Sequence, residues 1–106
     1  MNDRLQRLGL ATRAGAIVFG EALYTDLSRK KIALVILAED ASANTRKKVH
    51  DKCTTYQVPV VTLATKAALG HAIGKSDVAA IGITNVNIAK AFLNDKKEGV
   101  IDGETN

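Results

Sequence analysis

The chain has 106 residues, of which 46% are hydrophobic and 25% charged, which is the size and composition of one globular domain with its own core. It contains no apolar run near the roughly 20 residues of a membrane span and no apolar signal segment at its N-terminus. We therefore exclude a membrane partner and expect a cytoplasmic protein. The single cysteine, Cys53, cannot form an internal disulfide, which also favours a reducing compartment.

The net charge of +4 is concentrated in the first part of the chain. Residues 1–31 contain six Lys and Arg against three Asp and Glu, whereas the two signs balance from Cys53 onward. Such an excess is compatible with an ordinary solvated basic face. It is equally compatible with a polyanionic partner, because clustered Lys and Arg displace counterions from phosphates.

The first half of the chain predicts two helices and two strands. Leu5 and Leu8 lie three residues apart with arginines on the other side, the spacing of an amphipathic helix. Leu23 and Leu27 mark the inner face of a second helix, which begins with an acidic residue and ends in the basic run 29–31, charges that suit its dipole. The predicted elements are a helix over 3–14, a strand over 16–19, a helix over 21–31 and a strand over 32–38.

The second half of the chain continues the alternation. Val49 and Cys53 recur at helical spacing and mark the buried face of a third helix, which places the Cys53 thiol in the core rather than at a reactive site. Thr65 can cap a fourth helix, and Asn85 or Asn87 a fifth. The predicted elements are a helix over 44–56, a strand over 60–63, a helix over 66–73, a strand over 78–84 and a helix through Leu93, followed from about residue 95 by a frayed tail.

The run over 32–38 is the central strand of the predicted sheet. It lacks polar alternation and therefore suits a strand that is buried on both faces. Because helices separate the strands along the whole chain, we predict an α/β fold, a three-layer α/β/α sandwich with about four strands covered by helices on both faces. Residues 1–106 form a single domain in this prediction. Loops at the carboxyl ends of strands, such as the one that begins at Glu39 and Asp40, are frequent binding places in such folds.

The residues that catalysis or metal binding would need are few and scattered. His50 and His71 fall on separate helices, and one cysteine with two separated histidines gives too few ligands for a metal site. His50 beside Asp51 is interpreted as a surface pair rather than an acid/base dyad. Glu39 and Asp40 are neighbours in an extended segment, where adjacent side chains point to opposite faces. We therefore predict no enzyme activity, no catalytic residues, no metal, no cofactor and no small-molecule substrate.

The segment 70–76, Gly-His-Ala-Ile-Gly-Lys-Ser, is similar to a phosphate-binding P-loop but does not match it. A P-loop has four residues between its glycines, and this segment has three. A P-loop also follows a buried strand and opens a helix, whereas this segment ends a predicted helix and precedes a strand. We interpret it as a helix end followed by an exposed loop that carries Lys75 and Ser76.

Several short motifs occur together in a particular order. Each alone is weak, but jointly they are specific and extend over nearly the whole chain, from about Leu5 to Leu93. They are LGLATRAG (8–15), GE (20–21), LVILAEDAS (34–42), NTRKK (44–48), DKC (51–53), VPV (58–60) and LGHAIGK (69–75). On these motifs the chain resembles the YlxQ-type bacterial proteins of the ribosomal protein L7Ae/L30e superfamily.

That resemblance implies an α/β/α sandwich that binds structured RNA, typically a kink-turn, without catalysis. In the superfamily two neighbouring loops grip the RNA: the turn that opens the second helix, here Val18–Thr25, and the loop before the last strand, here Gly74–Val78. A glycine lets phosphate approach the backbone closely, and a helix N-terminus adds N–H donors. The candidate RNA-binding residues that follow from the resemblance are Gly20, Glu21, Ala22, Thr25, Gly74, Lys75, Ser76 and Val78.

The chain departs from the superfamily pattern at the start of the second helix. Kink-turn binders carry an Asn-Glu pair followed by a Lys there, and the corresponding positions here hold Glu21, Ala22 and Thr25. Arg46 is on the predicted third helix, outside the two loops, so an Arg46→Glu change would alter charge outside the two-loop site. Further candidate phosphate contacts are Arg13, Lys30, Lys75 and the basic cluster 46–48.

Three functions are therefore considered for a chain of this kind, and the sequence favours them in the following order. The first is a non-enzymatic RNA-binding protein, associated with the ribosome, that recognises structured RNA through the two loops. The second is a protein-interaction module on the same scaffold, with a weakened RNA site. The third, a small nucleotide-binding enzyme, is disfavoured because neither a phosphate motif nor an acid/base set is present.

Overall fold

A computed structural model describes the backbone of residues 3–101 and the side chains of residues 4–94. Within this part of the chain, five helices alternate with four strands, as the hydrophobic periodicity predicts. In chain order they are α1 (Asp3–Arg13), β1 (Ile17–Phe19), α2 (Glu21–Ser28), β2 (Leu34–Leu37), α3 (Ala43–Tyr56), β3 (Val60–Thr62), α4 (Lys66–Ala72), β4 (Ala80–Ile83) and α5 (Val86–Ile101).

The four strands form one mixed sheet in the order β1-β4-β2-β3. Strand β4 runs antiparallel to both of its neighbours, with Phe19 opposite Ile81 and Leu37 opposite Ala80. Strands β2 and β3 are parallel, with Leu37 opposite Thr62. The carboxyl ends of β1, β2 and β3 therefore meet the amino end of β4 at one edge of the sheet. We call it the Gly20 edge, after the residue that follows β1.

Helices cover both faces of this sheet. Helices α1, α4 and α5 pack together on one face, and α2 and α3 pack together on the other. Every residue of the two central strands is buried, because each of them has helices on both sides. The predicted three-layer α/β/α sandwich is confirmed. The largest fully buried side chains are those of Phe92, Leu8, Leu23, Leu27, Leu34 and Ile36.

Several elements differ in extent from their predictions. Ile32 and Ala38 are buried as predicted, but strand β2 covers only Leu34–Leu37 between them. Helix α2 ends at Ser28 rather than at residue 31, because Lys30 takes a left-handed conformation with φ of 60°. Helix α5 continues past the predicted end to Ile101, so the predicted frayed tail begins inside it. The rest of that tail, residues 102–106, lies outside the described residues.

Cys53 lies in the core, as its spacing predicts, with 2% of its surface exposed. The two neighbours His50 and Asp51 are both exposed on α3. The Asp51 carboxylate pairs with Lys47 at 3.3 Å, one helical turn earlier, rather than with His50. Among the described residues, no helix combines the length and the apolar composition needed to cross a membrane.

Candidate functional site

The turn between β1 and α2 presents the start of a helix at the Gly20 edge. Gly20 is the N-cap of α2 with φ of 68° and ψ of −146°, a combination that only glycine adopts readily. A helix leaves N–H groups of its first turn without intrahelical partners. Here the Leu23 N–H donates to the Gly20 carbonyl at 3.1 Å, and no side chain of the N-cap residue satisfies the N–H groups that precede it. The turn therefore offers backbone donors and partial positive charge to an anion.

The loop between α4 and β4 lies next to this turn. Its backbone is held at both ends, since the Lys75 N–H donates to the Gly70 carbonyl at 2.7 Å and the Val78 N–H donates to the Lys66 carbonyl at 3.1 Å. The Lys75 side chain reaches back to β1, where its Nζ lies 5.6 Å from the centroid of the Phe19 ring. An exposed cation thus lies beside the aromatic residue that precedes Gly20.

The two loops enclose one open pocket of about 410 Å³. Its lining combines aromatic and aliphatic side chains with Lys75 and Asp77, and α3 contributes the hydroxyl residue Thr45. A cleft of this size, apolar with a few polar groups, has the form of a ligand site. The lining residues are Phe19, Gly20, Leu23, Tyr24, Thr45, Lys75, Asp77, Val78, Ala79 and Ala80.

Tyr24 joins this pocket to helix α3. The Nζ of Lys48 lies 4.0 Å from the centroid of the Tyr24 ring, a cation–π contact between α3 and α2. Burial raises the pKa of the Tyr24 phenol, with smaller contributions from Cys53 and Glu21. The phenol is therefore protonated at neutral pH and remains a hydrogen-bond donor as well as an acceptor.

The loop between β2 and α3 also ends at the Gly20 edge and is fixed by side chains. The Arg46 guanidinium donates to the backbone carbonyls of Glu39 and Ala41. The Asp40 carboxylate accepts a 2.8 Å hydrogen bond from the Lys66 N–H at the start of α4. Arg46 therefore helps to hold the loop between β2 and α3 at this edge, although it lies in neither of the two predicted loops and does not line the pocket.

The sequence of residues 3–93 matches the ribosomal protein L7Ae/L30e/S12e/Gadd45 family. The match extends over almost all of the described chain. The chain belongs to this family. It is 41% identical over 87 residues to the RNA-binding protein YlxQ of Bacillus subtilis (strain 168), an alignment that covers 81% of this chain and 87% of that protein. It is 45% identical over 69 residues to the RNA-binding protein YlxQ of Enterococcus faecium, with 64% and 67% covered. The predicted YlxQ-type membership is confirmed.

Two solved structures have the same fold as this chain. A Bacillus halodurans C protein of unknown function superposes with a TM-score of 0.82 and 36% identity, over 86% of this chain and 93% of that one. The 15.5kD RNA binding protein of Giardia lamblia superposes with a TM-score of 0.73 and 25% identity, over 92% and 86% of the two chains.

The structure of this L7Ae-family chain brings most of the predicted site residues to the Gly20 edge. Gly20, Lys75 and Val78 line the pocket, although Val78 is almost wholly buried. The remaining members of the two loops are exposed around it and do not line it. They are Glu21, Ala22 and Thr25 on the first turns of α2, and Gly74 and Ser76 in the loop before β4.

Two of the predicted site residues lie away from the pocket. Arg13 and Lys30 stand in the segments that lead into β1 and β2, and those strands begin at the edge of the sheet opposite Gly20. The cluster 46–48 is divided among three partners. Arg46 binds backbone carbonyls, Lys47 pairs with Asp51, and Lys48 alone reaches the pocket through Tyr24.

Seven of the ten lining residues are not among the predicted site residues, and they include Phe19, Tyr24 and Thr45, although the first two lie within the predicted turn Val18–Thr25. Phe19 and Tyr24 are two of only four aromatic residues in the chain, and they lie one position before and four positions after Gly20. Their rarity and their spacing around a helix start are the signal that points to them. Thr45 comes from α3, and no local pattern indicates that it meets the two loops.

The described residues contain no group of three or more His, Cys, Asp or Glu that could hold a metal ion. His50 and His71 are exposed on α3 and α4, and the Cys53 thiol is buried. Burial raises the pKa of that thiol to about 11, which keeps it in its unreactive protonated form at neutral pH.

Proposed function

We propose that this chain is a non-enzymatic RNA-binding protein that holds structured, kink-turn-like RNA at the Gly20 edge. The observation that carries the proposal is the pocket in which the α2 N-terminus, two aromatic rings and Lys75 converge. Family membership and the RNA-binding relatives support it. We further propose that the RNA is ribosomal and the protein cytoplasmic, to be checked by cosedimentation with ribosomes.

In this proposal the pocket binds an irregular part of the RNA. A phosphate approaches the N–H groups at the start of α2, where the missing side chain of Gly20 leaves room. An unstacked base lies against Phe19 or Tyr24, and such base–aromatic stacking contributes about 1–3 kcal/mol. Lys75 and Lys48, each held over one of the two rings, supply the charge that neutralises neighbouring phosphates.

The residues at the start of α2 determine how selective this binding is. Glu21, Ala22 and Thr25 occupy the positions where kink-turn binders have Asn, Glu and Lys, and all three are exposed. With fewer donors directed at base edges, recognition rests on the shape of the RNA backbone more than on base identity. We expect a kink-turn preference that is real but weaker than the full set of side chains would provide.

A binding titration with two RNA probes tests the proposal. One probe is a kink-turn RNA, and the other is a fully paired duplex of the same length and composition. The wild-type protein should bind the kink-turn at least about tenfold more tightly, a difference of about 1.4 kcal/mol. Lys75→Gln should remove most of that preference, whereas Lys90→Gln, an exposed change on α5, should not.

A variant that gains affinity provides the stronger test, because misfolding cannot increase affinity for the RNA. Glu21→Asn, Ala22→Glu and Thr25→Lys together restore the base-reading set and should strengthen kink-turn binding about tenfold or more. Ser28→Lys adds a positive charge at the other end of α2 and serves as the control. A protein-interaction module would be favoured instead if the wild type bound both probes equally and neither Lys75→Gln nor the triple change altered its affinity.

A further inference from the structure

One face of α3 forms a basic stripe that runs away from the pocket. Its members recur every three to four residues and all are exposed, so they lie along one side of the helix for about 16 Å. They line a shallow groove of about 400 Å³. The α3 stripe consists of Asn44, Lys47, Lys48, Asp51, Lys52 and Thr55.

We infer that the α3 stripe is a second phosphate-binding surface, which holds the helical stem that continues from the RNA bound at the Gly20 edge. The inference rests on the proposed function and extends the RNA-binding surface from the pocket along helix α3. It assigns to the stripe the sugar–phosphate backbone of paired RNA rather than bases, which are stacked inside a stem and out of reach.

Lys48 makes the stripe continuous with the pocket. It lines the groove on α3, and its Nζ lies over the ring of Tyr24, which lines the pocket. Thr45 lines the pocket from the turn of α3 that also carries Asn44 at the end of the stripe. RNA seated in the pocket is thereby brought within reach of the first turns of α3, and its next phosphates meet the stripe.

The chemistry of the stripe fits phosphate oxygens. Lysine ammonium, asparagine amide and threonine hydroxyl groups are all donors, and the stripe contains no aromatic or large aliphatic side chain. Protein–protein interfaces are instead enriched in aromatic residues and depleted in lysine. The charges of the stripe add to +2, because Asp51 offsets one of its three lysines.

The ion pair between Lys47 and Asp51 does not prevent the α3 stripe from binding phosphate. Its atoms are 3.3 Å apart, and 78% and 65% of the two side chains are exposed. Exposed pairs of this kind are weak and are screened by salt. Lys47 can therefore exchange the carboxylate for a phosphate at small cost.

Two versions of the same kink-turn RNA test the inference, one with a long flanking helix and one with that helix cut back to the bend. The readout is the slope of log K against log salt. On the long RNA, Lys47→Gln/Lys52→Gln should reduce the magnitude of the slope by roughly 1.4 to 1.8, which is about 0.7 to 0.9 for each lost phosphate contact. On the cut-back RNA the slope should stay as in the wild type, and Lys90→Gln should change neither.

Asp51→Asn supplies the matching gain. It frees Lys47 and raises the net charge of the stripe, so it should strengthen binding of the long RNA severalfold and leave the cut-back RNA unchanged. Loss of fold cannot produce such a gain.

Other results would overturn the inference in distinguishable ways. If Lys75→Gln weakens binding while the α3 changes have no effect, or affect both RNAs equally, the stripe holds no stem and the proposed function stands. If Lys75→Gln has no effect either, both proposals fail. Capture of poly-glutamate that the α3 changes abolish, with RNA binding unaltered, would assign the stripe to an acidic protein.

Discussion

Gly70 and the carbonyl of Ser76 pack so closely that a β carbon at position 70 would lie 2.1 Å from the Ser76 oxygen. Real β carbons do not come this near, and the obstructing atom is backbone rather than the end of a flexible side chain. The contact joins α4 to the loop that carries Lys75, whose N–H also donates to the Gly70 carbonyl. The position of the Lys75 loop therefore depends on the absence of a side chain one helical turn away.

Gly70→Ala should lower the free energy of unfolding by about 1–3 kcal/mol, since the loop must shift to admit a methyl group. Gly9→Ala is the matched control, because its β carbon would meet only the Ala72 carbonyl at an ordinary 3.7 Å. In the interior of α1 that change should stabilise by about 0.5–1 kcal/mol. Urea denaturation measures both, and equal effects would mean that the Gly70 contact is not needed.

Stability above pH 9 should depend on Cys53. Burial raises the pKa of its thiol from 9.0 to about 11, so the unfolded chain ionises first as the pH rises. The stabilisation is fully present below pH 9 and is lost as the pH approaches 11, a fall of roughly 1–3 kcal/mol. Denaturation of the wild type and of Cys53→Ala over this pH range isolates the effect, because lysines and tyrosines titrate in both. Parallel pH curves for the two proteins would contradict a buried thiol.

Arg46 should stabilise the loop between β2 and α3. Its guanidinium donates to the carbonyls of Glu39 and Ala41, and hydrogen bonds from a charged donor are stronger than neutral ones. Arg46→Gln should cost about 1–2 kcal/mol in thermal or urea denaturation. Lys47→Gln removes an equal charge one residue later but breaks only the exposed pair with Asp51, so it should cost less than about 1 kcal/mol. If the two changes cost the same, the carbonyl contacts contribute nothing specific.

Asp40 should stabilise the start of α4 from a distant part of the chain. Its carboxylate accepts the Lys66 N–H at 2.8 Å, while Thr65 caps the same helix by accepting from the Ala68 N–H. Asp40→Ala should cost about 1 kcal/mol, from loss of a cap and of a negative charge beside a helix N-terminus. Glu39→Ala removes the neighbouring exposed carboxylate and should be nearly neutral. The reverse ranking in denaturation would show that the hydrogen bond to α4 is not formed in solution.

The order and type of the elements could be predicted from the sequence, because period and turn residues are local properties. The residues at which strands begin and end could not be predicted in this way. Ile32 and Ala38 are buried like the strand between them, but β2 pairs with its neighbouring strands only over Leu34–Leu37. Likewise, the basic run at the end of α2 suits a helix dipole, yet Lys30 turns left-handed and closes the helix early.

The candidate site was predictable where the family motifs extend and not elsewhere. The two loops follow from the resemblance, and the structure places them side by side. Only their charge points to Arg13 and Lys30, and charge does not tell on which edge of the sheet a residue lies. That depends on the antiparallel direction of β4, a tertiary property with no signature in the local pattern. The hydrogen bonds of Arg46 could not be predicted from the sequence either, because its partners are backbone carbonyls, which every sequence contains.

Helix α2 presents a buried face and an exposed face within about two helical turns. Leu23 and Leu27 are buried beneath the helix, while Glu21, Ala22 and Thr25 are exposed beside the pocket. Substitutions at the outer positions therefore carry little penalty in folding, so these residues can change without loss of the fold. A scaffold built in this way can exchange one ligand for another over evolutionary time while its shape is inherited unchanged.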